Sequence, residues 1–257
     1  METDRPKKVL ALDSSGLVAS VAVVEDGPAG GNLLAEYTVN YKKTHSQTLL
    51  PMLDEIVRMI ELDLEEIDAI AVAAGPGSFT GLRIGSATAK GLGFALDKPL
   101  VSVPTVDALA YNLFGTDRLV CPLMDARRNQ VYTGIYAFEG GRMQVLEPQM
   151  AVDIEVIAGK LADRGRDVIF LGDGAPVFRE RLETLLRETL AKAGKRFFFA
   201  PAHVNKQRAG AVGALALEYL KEGRTETAAE HQPEYLRMAQ AERERAERVA
   251  AAQEGAK

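Results

Sequence analysis

Cysteine and tryptophan are nearly missing from the chain, which has a single cysteine, Cys121, and no tryptophan. One cysteine cannot form an internal disulfide, and this favours a reducing compartment such as the cytoplasm. Long apolar runs are missing too, because Gly, Asp or Lys interrupts each of them well before the roughly 20 residues that a membrane helix needs. The start, METDRPKK, leads into a strand-like segment without the apolar stretch of a signal peptide. The sequence therefore predicts a soluble cytoplasmic protein with no membrane partner.

A dominant charge of one sign is also absent. The chain carries 31 basic and 36 acidic residues, a formal net charge of -5, and the two signs are well interspersed. This balance argues against a general basic surface for nucleic acid and leaves a local patch open. The three histidines, His45, His203 and His231, are far apart and form neither an HxxxH nor an HExxH pair, so no metal site is predicted.

Hydrophobic periodicity predicts the same order of elements in both halves of the chain. In the first half, three strands precede a helix over 44–60, a strand, a helix over 79–96, a strand and a helix. The second half repeats this order and ends with a helix that reaches Lys221. A duplicated βββαβαβα unit is the α/β architecture of actin-like ATPases and sugar kinases (the ASKHA fold), which is the predicted fold class. The predicted domains are a first subdomain over 1–116, a second over 117–228, and a polar tail over 229–257 that is expected to be frayed or disordered.

A glycine-rich block, GPGSFTGLRIG at 75–85, follows a strand and opens a helix, as phosphate-binding loops do. Its spacing does not fit that use, because Leu82 and Arg83 follow the last loop glycine where a P-loop needs Lys and then Ser or Thr. The glycines also read GxGxxxG and not the GxGxxG of dinucleotide-binding folds. Small residues recur every four positions and share one side of the helix: Gly81, Gly85, Ala89 and Gly93.

Glycines inside a helix cost about 1 kcal/mol each relative to alanine, so this row must recover free energy by close packing against a neighbour. The neighbour can belong to the same chain or to a partner. Because the helix over 44–60 also carries apolar residues beyond one stripe, we expect a partner to dock on these two helices. We therefore expect Gly85→Leu or Ala89→Arg to abolish partner binding with the fold intact. The predicted partner-binding residues are Leu49, Leu50, Leu53, Ile56, Val57, Gly81, Leu82, Gly85, Ser86, Ala89 and Gly93.

Two turns resemble places where actin-like ATPases hold nucleotide. Asp13 and Ser14 follow the first strand, and a Gly-Asp-Gly turn of Gly172, Asp173 and Gly174 follows a strand of the second half. Asp, Ser and Gly are also ordinary turn residues, so these positions are candidates for a vestigial nucleotide site and no more.

Two further groups of polar residues are ambiguous. Arg127 and Arg128 open the second half and can serve either an ion pair within a turn or a contact with phosphate or a partner carboxylate. A catalytic triad of Ser78, His45 and Asp125 can be drawn, but no GxSxG elbow supports it. A peptidase therefore stays an alternative without a motif.

Several segments together resemble one family. They are LALDSS (10–15), THSQTLLPML (44–53), AAGPGSFTGLRIG (73–85), AKGL (89–92), MDARRNQVY (124–132), LGDG (171–174) and PEYLRMAQAERE (233–244). The chain is similar to the bacterial TsaB family, formerly YeaZ, over nearly its whole length. The resemblance implies a dimerisation subunit that pairs with a catalytic paralogue, TsaD, through the first two helices, and that works with an ATPase, TsaE. The complex transfers a threonylcarbamoyl group to the adenosine just 3′ of the anticodon, so tRNA would be met through the complex.

The resemblance also implies that this subunit has no catalytic residues. Thr105 and Leu109 stand where the catalytic paralogue carries its metal-binding histidines, and neither is a ligand of that kind. No cofactor is expected here, whereas ATP and a metal are expected in the partner subunits. A homodimer through the same helices is expected when the paralogue is absent. A free-standing ATPase that uses Asp13 and Gly172 to Gly174 stays open as an alternative.

Overall fold

The computed structural model describes residues 5–27, 31–41 and 44–237, which fold into two α/β halves. The first half consists of β1 Lys8–Asp13, β2 Ala19–Glu25, β3 Asn32–Val39, α1 His45–Met59, β4 Ala69–Gly75, α2 Phe79–Leu96, β5 Leu100–Pro104 and α3 Thr105–Tyr111. The second half consists of β6 Leu119–Asp125, β7 Gln130–Glu139, β8 Arg142–Asp153, α4 Ile154–Arg164, β9 Val168–Leu171, α5 Gly174–Val177, α6 Arg179–Lys192, β10 Phe197–Phe199 and α7 Ala209–Lys221.

The two sheets have the same topology. Their strand orders are β3-β2-β1-β4-β5 and β8-β7-β6-β9-β10. In each sheet the first three strands in chain order form antiparallel pairs, and the last two run parallel to the central strand, which is β1 or β6. Within the described residues, a 3₁₀ turn at Leu64–Glu66 in the first half and the short α5 in the second half add to the repeated order of elements. This confirms the predicted duplication and the actin-like fold class.

The first sheet is covered on both faces, which explains why β1 and β4 are almost continuously apolar. Helices α1 and α2 pack on one face. The opposite face is covered by α7, whose buried residues pack with β1, β2, β4 and β5. A Cβ on Gly213 of α7 would lie 3.2 Å from the Cβ of Ala11. The predicted boundary of the second subdomain at 228 is therefore corrected: α7 follows the second half in sequence but belongs to the core of the first.

Residues 225–237, called the strap here, return from α7 and run along α2. Glu226 and Leu100 exchange two backbone hydrogen bonds of 2.9 and 2.8 Å beside β5. The His231 side chain is fully buried, and its Nδ1 lies 2.9 Å from both Ser102 Oγ and Glu226 Oε1. The prediction of a frayed tail is therefore wrong for 229–237, because the strap has a specific place against the first half. The rest of the predicted tail, 238–257, lies outside the described residues.

The strap also reaches the second half. The Glu234 backbone N–H donates to the Ala74 carbonyl over 2.7 Å, while Gln149 Nε2 of β8 donates to the Glu234 carboxylate over 2.8 Å. Farther on, the Arg237 guanidinium donates to the Ala126 carbonyl in the β6–β7 loop. The strap thus joins α2 to the second half. Among the helices of the described ranges, none is long and apolar enough to cross a membrane.

Candidate functional site

The predicted row of small residues on α2 faces the interior of the protein. A Cβ on Gly81 would lie 2.1 Å from the Ser14 carbonyl oxygen, and one on Gly85 would lie 2.5 Å from Ser14 Oγ. Farther along the helix, a Cβ on Gly93 would lie 2.5 Å from Leu100 Cδ1. The glycines recover their free-energy cost by close packing, as expected, but the neighbour is the β1–β2 turn and strand β5 of the same chain.

Hydrogen bonds connect the start of α2 to the β1–β2 turn. Ser78 N donates to the Ser15 carbonyl over 2.7 Å, and Ser14 Oγ donates to the Gly81 carbonyl over 2.9 Å. Both the backbone N–H and the hydroxyl of Ser15 donate to Asp13 Oδ1, over 2.9 and 2.7 Å. Two candidate nucleotide positions, Asp13 and Ser14, are therefore buried and bonded within the protein. The Ser14 and Ser15 hydroxyls are engaged by the chain's own groups.

The second candidate turn is packed in a similar way. Gly172 has a φ of +103°, and a Cβ there would lie 2.1 Å from the Leu123 carbonyl oxygen. A Cβ on Gly174 would lie 3.0 Å from the same atom. Asp173 Oδ1 accepts a 3.3 Å hydrogen bond from Asp125 N, so this turn is fixed to the end of β6. Close packing accounts for both glycines without a bound phosphate.

The turns of the two halves face each other across a cleft with a volume of about 400 Å³. The triad residues border this cleft, but each side chain has a different partner. His45 Nε2 lies 2.8 Å from the Gly16 carbonyl, and Ser78 Oγ accepts from Gly81 N as the N-cap of α2. Asp125 accepts from Arg127 N over 2.8 Å. The hydrogen bonds of a hydrolytic triad are not formed, and the residues serve as caps and turn supports.

Burial in this region raises the pKa of Asp13 from 3.8 to about 6, although the hydrogen bonds from Ser15 act in the opposite direction. A raised folded-state pKa means that the native protein binds more protons than the unfolded chain between pH 4 and 6. The contribution of Asp13 to stability is therefore largest below pH 4, and about 3 kcal/mol of it is lost as the pH rises through 6, at roughly 1.4 kcal/mol per pKa unit.

We expect Asp13→Asn to raise the free energy of unfolding at pH 7.5 by about 1–3 kcal/mol, since the amide keeps an acceptor for Ser15 and removes the buried charge. Denaturant unfolding at several pH values measures this, with the unsubstituted chain as the reference. The gain should vanish near pH 4. A variant that is less stable than the parent at pH 7.5 would contradict this account of Asp13.

The exposed surface of the two helices differs from the predicted one. Nine of the eleven predicted partner-binding residues are buried in the chain itself: Leu49, Leu53, Ile56, Gly81, Leu82, Gly85, Ser86, Ala89 and Gly93. Val57 is half-buried against the core, and Leu50 is 53% exposed. The prediction of these nine as a surface is corrected, because the helix period shows which residues share a side but not where that side points.

A second set of small residues occupies the outer side of α2. Ala87 and Gly91 are exposed, and a Cβ on Gly91 would meet no atom within 4 Å. Phe94 follows on this side and is 65% exposed. Together with Leu50 of α1, these residues form what we call the docking face. Sequence reasoning passed over Ala87 and Gly91, although they too are spaced by four residues.

The strap and the β6–β7 loop add a feature that residue patterns hardly predict. Tyr235 packs on Phe79 at the start of α2, with ring centroids 4.8 Å apart. The Arg83 guanidinium lies 3.9 Å from the Phe79 ring centroid. Beside them, Arg127 and Arg128 adopt left-handed backbone conformations. Only the PEYLR and DARR segments, as motifs of the resembled family, pointed to these places.

The two positions that match metal ligands in the paralogue are part of the core. Thr105 is fully buried, and its Oγ1 accepts from Gly75 N over 3.1 Å. Leu109 packs in the apolar cluster between the halves. Within residues 5–27, 31–41 and 44–237, no three His, Cys, Asp or Glu side chains converge as a metal site would require.

Comparison with known proteins gives a consistent picture. The family model described as "TsaD: tRNA N6-adenosine threonylcarbamoyltransferase" matches residues 32–245. The Bacillus subtilis tRNA threonylcarbamoyladenosine biosynthesis protein TsaB is 32% identical over 91% of this chain and 96% of the relative. TsaB of Escherichia coli is 29% identical over 65% of this chain and 71% of its own. A solved structure, YeaZ from Pseudomonas aeruginosa, superposes with a TM-score of 0.71 at 26% identity, covering 90% of this chain and all of that one.

Proposed function

The chain belongs to the TsaB (YeaZ) family of tRNA threonylcarbamoyladenosine biosynthesis proteins, and from this premise we propose that it is a non-catalytic subunit that docks on a TsaD-type catalytic paralogue. The observation that carries the proposal is the docking face. It combines exposed Leu50 and Phe94 with two exposed small residues of α2, Ala87 and Gly91. An exposed aromatic side chain beside small residues suits a helix partner that approaches closely.

The choice of partner rests on shared architecture. The family model that matches 32–245 is that of TsaD, so a TsaD-type paralogue is expected to carry two helices equivalent to α1 and α2. Two related chains can then pair by equivalent faces about a pseudo-two-fold axis, the arrangement that also closes homodimers. In the absence of the paralogue, two copies of this chain would cover the same face. A TsaE-type ATPase completes the proposed cytoplasmic complex.

The proposed role in catalysis is indirect. The Ser15, His45 and Ser78 side chains that border the cleft have hydrogen-bond partners within the protein, and so does the buried Ser14 hydroxyl. In the proposal, the paralogue supplies the metal and the transfer chemistry, the ATPase binds and hydrolyses ATP, and this chain holds the paralogue in its active arrangement. tRNA meets the assembled complex.

Reconstitution tests the proposal. Purified chain, its TsaD-type paralogue and the TsaE-type ATPase are combined with tRNA and threonylcarbamoyl adenylate, and modified adenosine is measured by mass spectrometry of digested tRNA. We expect no product from the chain alone, at most a few per cent from the mixture that lacks it, and full activity from the complete mixture. Product formed by the chain alone, or full activity without it, would overturn the proposal. Magnesium-dependent ATP hydrolysis by the isolated chain would instead support the ATPase alternative.

A further inference from the structure

We propose that the junction of α2, the strap and the β6–β7 loop is a contact surface for the backbone and bases of tRNA; this rests on the proposed function, and it assigns to this chain a direct part in binding the substrate. The surface, called the cationic strip here, alternates guanidinium groups with aromatic rings. Its members are Arg83, Phe79, Tyr235, Arg237, Arg127 and Arg128.

At one end of the strip, three side chains form a stack. The Arg83 guanidinium lies over the Phe79 ring, and the Tyr235 ring packs against that ring at an interplanar angle of 38°. Tyr235 remains 39% exposed, and Arg83 is exposed. Exposed aromatic rings and guanidinium planes are the groups on which unpaired RNA bases stack. The strap fixes this stack, since Glu234 N bonds to the Ala74 carbonyl beside it.

At the other end, the β6–β7 loop holds two arginines in a strained conformation. Arg127, Arg128 and Asn129 have φ values of 65°, 55° and 61°, a region that costs about 1 kcal/mol or more for each non-glycine residue. Asp125 Oδ1 accepts from Arg127 N over 2.8 Å, and Arg237 holds the Ala126 carbonyl, so the loop is fixed from both sides. Strain of this kind persists where it positions functional groups. Here it turns the Arg127 side chain outward, 86% exposed.

The charge of the strip fits a polyanion. In the part of the chain that the structure describes, no carboxylate lies within 4.0 Å of the guanidinium groups of Arg83, Arg128 or Arg237. Arg127 pairs with Asp125 at 3.1 Å, which leaves most of its surface open. In a chain of net charge -5, this is a local concentration of positive charge. RNA phosphates are the ligand that unpaired arginines next to stacking rings fit best.

The position of the strip favours RNA that is shared with the paralogue. Arg83 lies one helical turn before Ala87, so the strip begins where the docking face ends. A tRNA held at the active site of a docked paralogue can therefore continue onto the strip without leaving the complex. An acidic protein segment would use the arginines but would have no need of the exposed Tyr235 ring.

The test measures tRNA binding by the assembled complex from 50 to 200 mM salt, by fluorescence anisotropy. For Arg127→Gln with Arg128→Gln, we expect Kd to rise about tenfold at 100 mM salt. The slope of log K against log salt should fall by roughly 1.4–1.8, because two phosphate contacts are lost. Tyr235→Ala should raise Kd at least fivefold with little change in slope, whereas Tyr235→Phe should bind as the parent does.

A matched pair on α6, Arg181→Gln with Arg187→Gln, removes two exposed arginines that pair with Glu155 and Glu183 and should leave Kd and slope unchanged. Unchanged binding by the strip variants would overturn the proposal. The proposal would also be overturned if the strip variants kept their tRNA affinity but lost the ATPase subunit from the complex, because the strip would then be a contact for an acidic protein surface. Chromatography of each complex shows whether the variant chain still binds the paralogue, so a loss of tRNA affinity can be told apart from a failure to dock. If the parent chain does not dock, the same variants are compared for tRNA binding by the isolated chain.

Discussion

Gly91→Arg abolishes association with the TsaD-type paralogue and leaves the isolated chain folded: this is the result we expect from the docking face. A side chain at Gly91 enters open space in the isolated chain, since no atom lies within 4 Å of its Cβ position. Replacing an exposed helical glycine also favours the helix by up to about 1 kcal/mol. In a complex, however, the same arginine would separate two helix backbones that pack closely. We expect Kd for the paralogue to rise at least 100-fold.

The chain offers a matched control for this change. Gly159 is an exposed glycine inside α4 of the second half, and a Cβ there also meets no atom within 4 Å. Gly159→Arg makes the same chemical change on a helix outside the docking face and should bind the paralogue as the parent does. Titration calorimetry gives the affinities, and thermal unfolding verifies both folds. Equal binding by the Gly91→Arg and Gly159→Arg proteins would place the docking surface elsewhere.

The same pair of variants tests self-association. If two copies of the isolated chain pair through the docking face, light scattering of Gly91→Arg should show a monomer where the parent and Gly159→Arg show a dimer. The changes suggested by the sequence, Gly85→Leu and Ala89→Arg, cannot serve this purpose. Both side chains would enter the core, against Ser14 or among residues of the first sheet, and would destabilise the fold along with any interface.

The order of elements was predictable because each strand and helix carries its own periodicity. The bounds of α2 agree with the prediction, and so does the duplication of the two sheets. What periodicity cannot show is the direction of a helix face. α2 has small residues on two sides, one at Gly81 and Gly85 and the other at Ala87 and Gly91, and only the packing of the β1–β2 turn decides which side is covered.

Contacts between segments distant in sequence were the other part that could not be predicted. The composition of the strap is polar, which favours a frayed tail when the segment is considered alone. Its place depends on Ser102, Ala74 and Ala126, each more than 100 residues away in the chain. The location of α7 on the first sheet has the same origin. Local sequence indicates helix and strand propensity, whereas the positions of the strap and of α7 depend on contacts with residues distant in the chain.

Two Gly→Ala changes on α2 test the role of its glycines, because we expect them to change the free energy of unfolding in opposite directions. Gly81→Ala places a Cβ 2.1 Å from the Ser14 carbonyl oxygen, a backbone atom that cannot move without shifting β1, so we expect a loss of about 2–4 kcal/mol. Gly91→Ala has open space and should gain about 0.5–1 kcal/mol. Urea unfolding measures both. Similar effects of the two changes would show that the inner row is not close-packed.

Gly85→Ala extends this comparison into a double-mutant cycle. Its Cβ would lie 2.5 Å from Ser14 Oγ and 3.8 Å from Ser14 Cβ, so the conflict is with the hydroxyl alone. Ser14→Ala removes that hydroxyl and its bond to the Gly81 carbonyl, which costs about 1 kcal/mol. In the double variant the alanine at 85 should then be tolerated, giving a favourable coupling free energy of about 1–2 kcal/mol. No such relief is expected for Gly81→Ala, because Ser14→Ala leaves the carbonyl oxygen in place. Coupling at Gly85 without coupling at Gly81 would assign the glycines to the contact between α2 and the β1–β2 turn, and additive effects at both would refute that assignment.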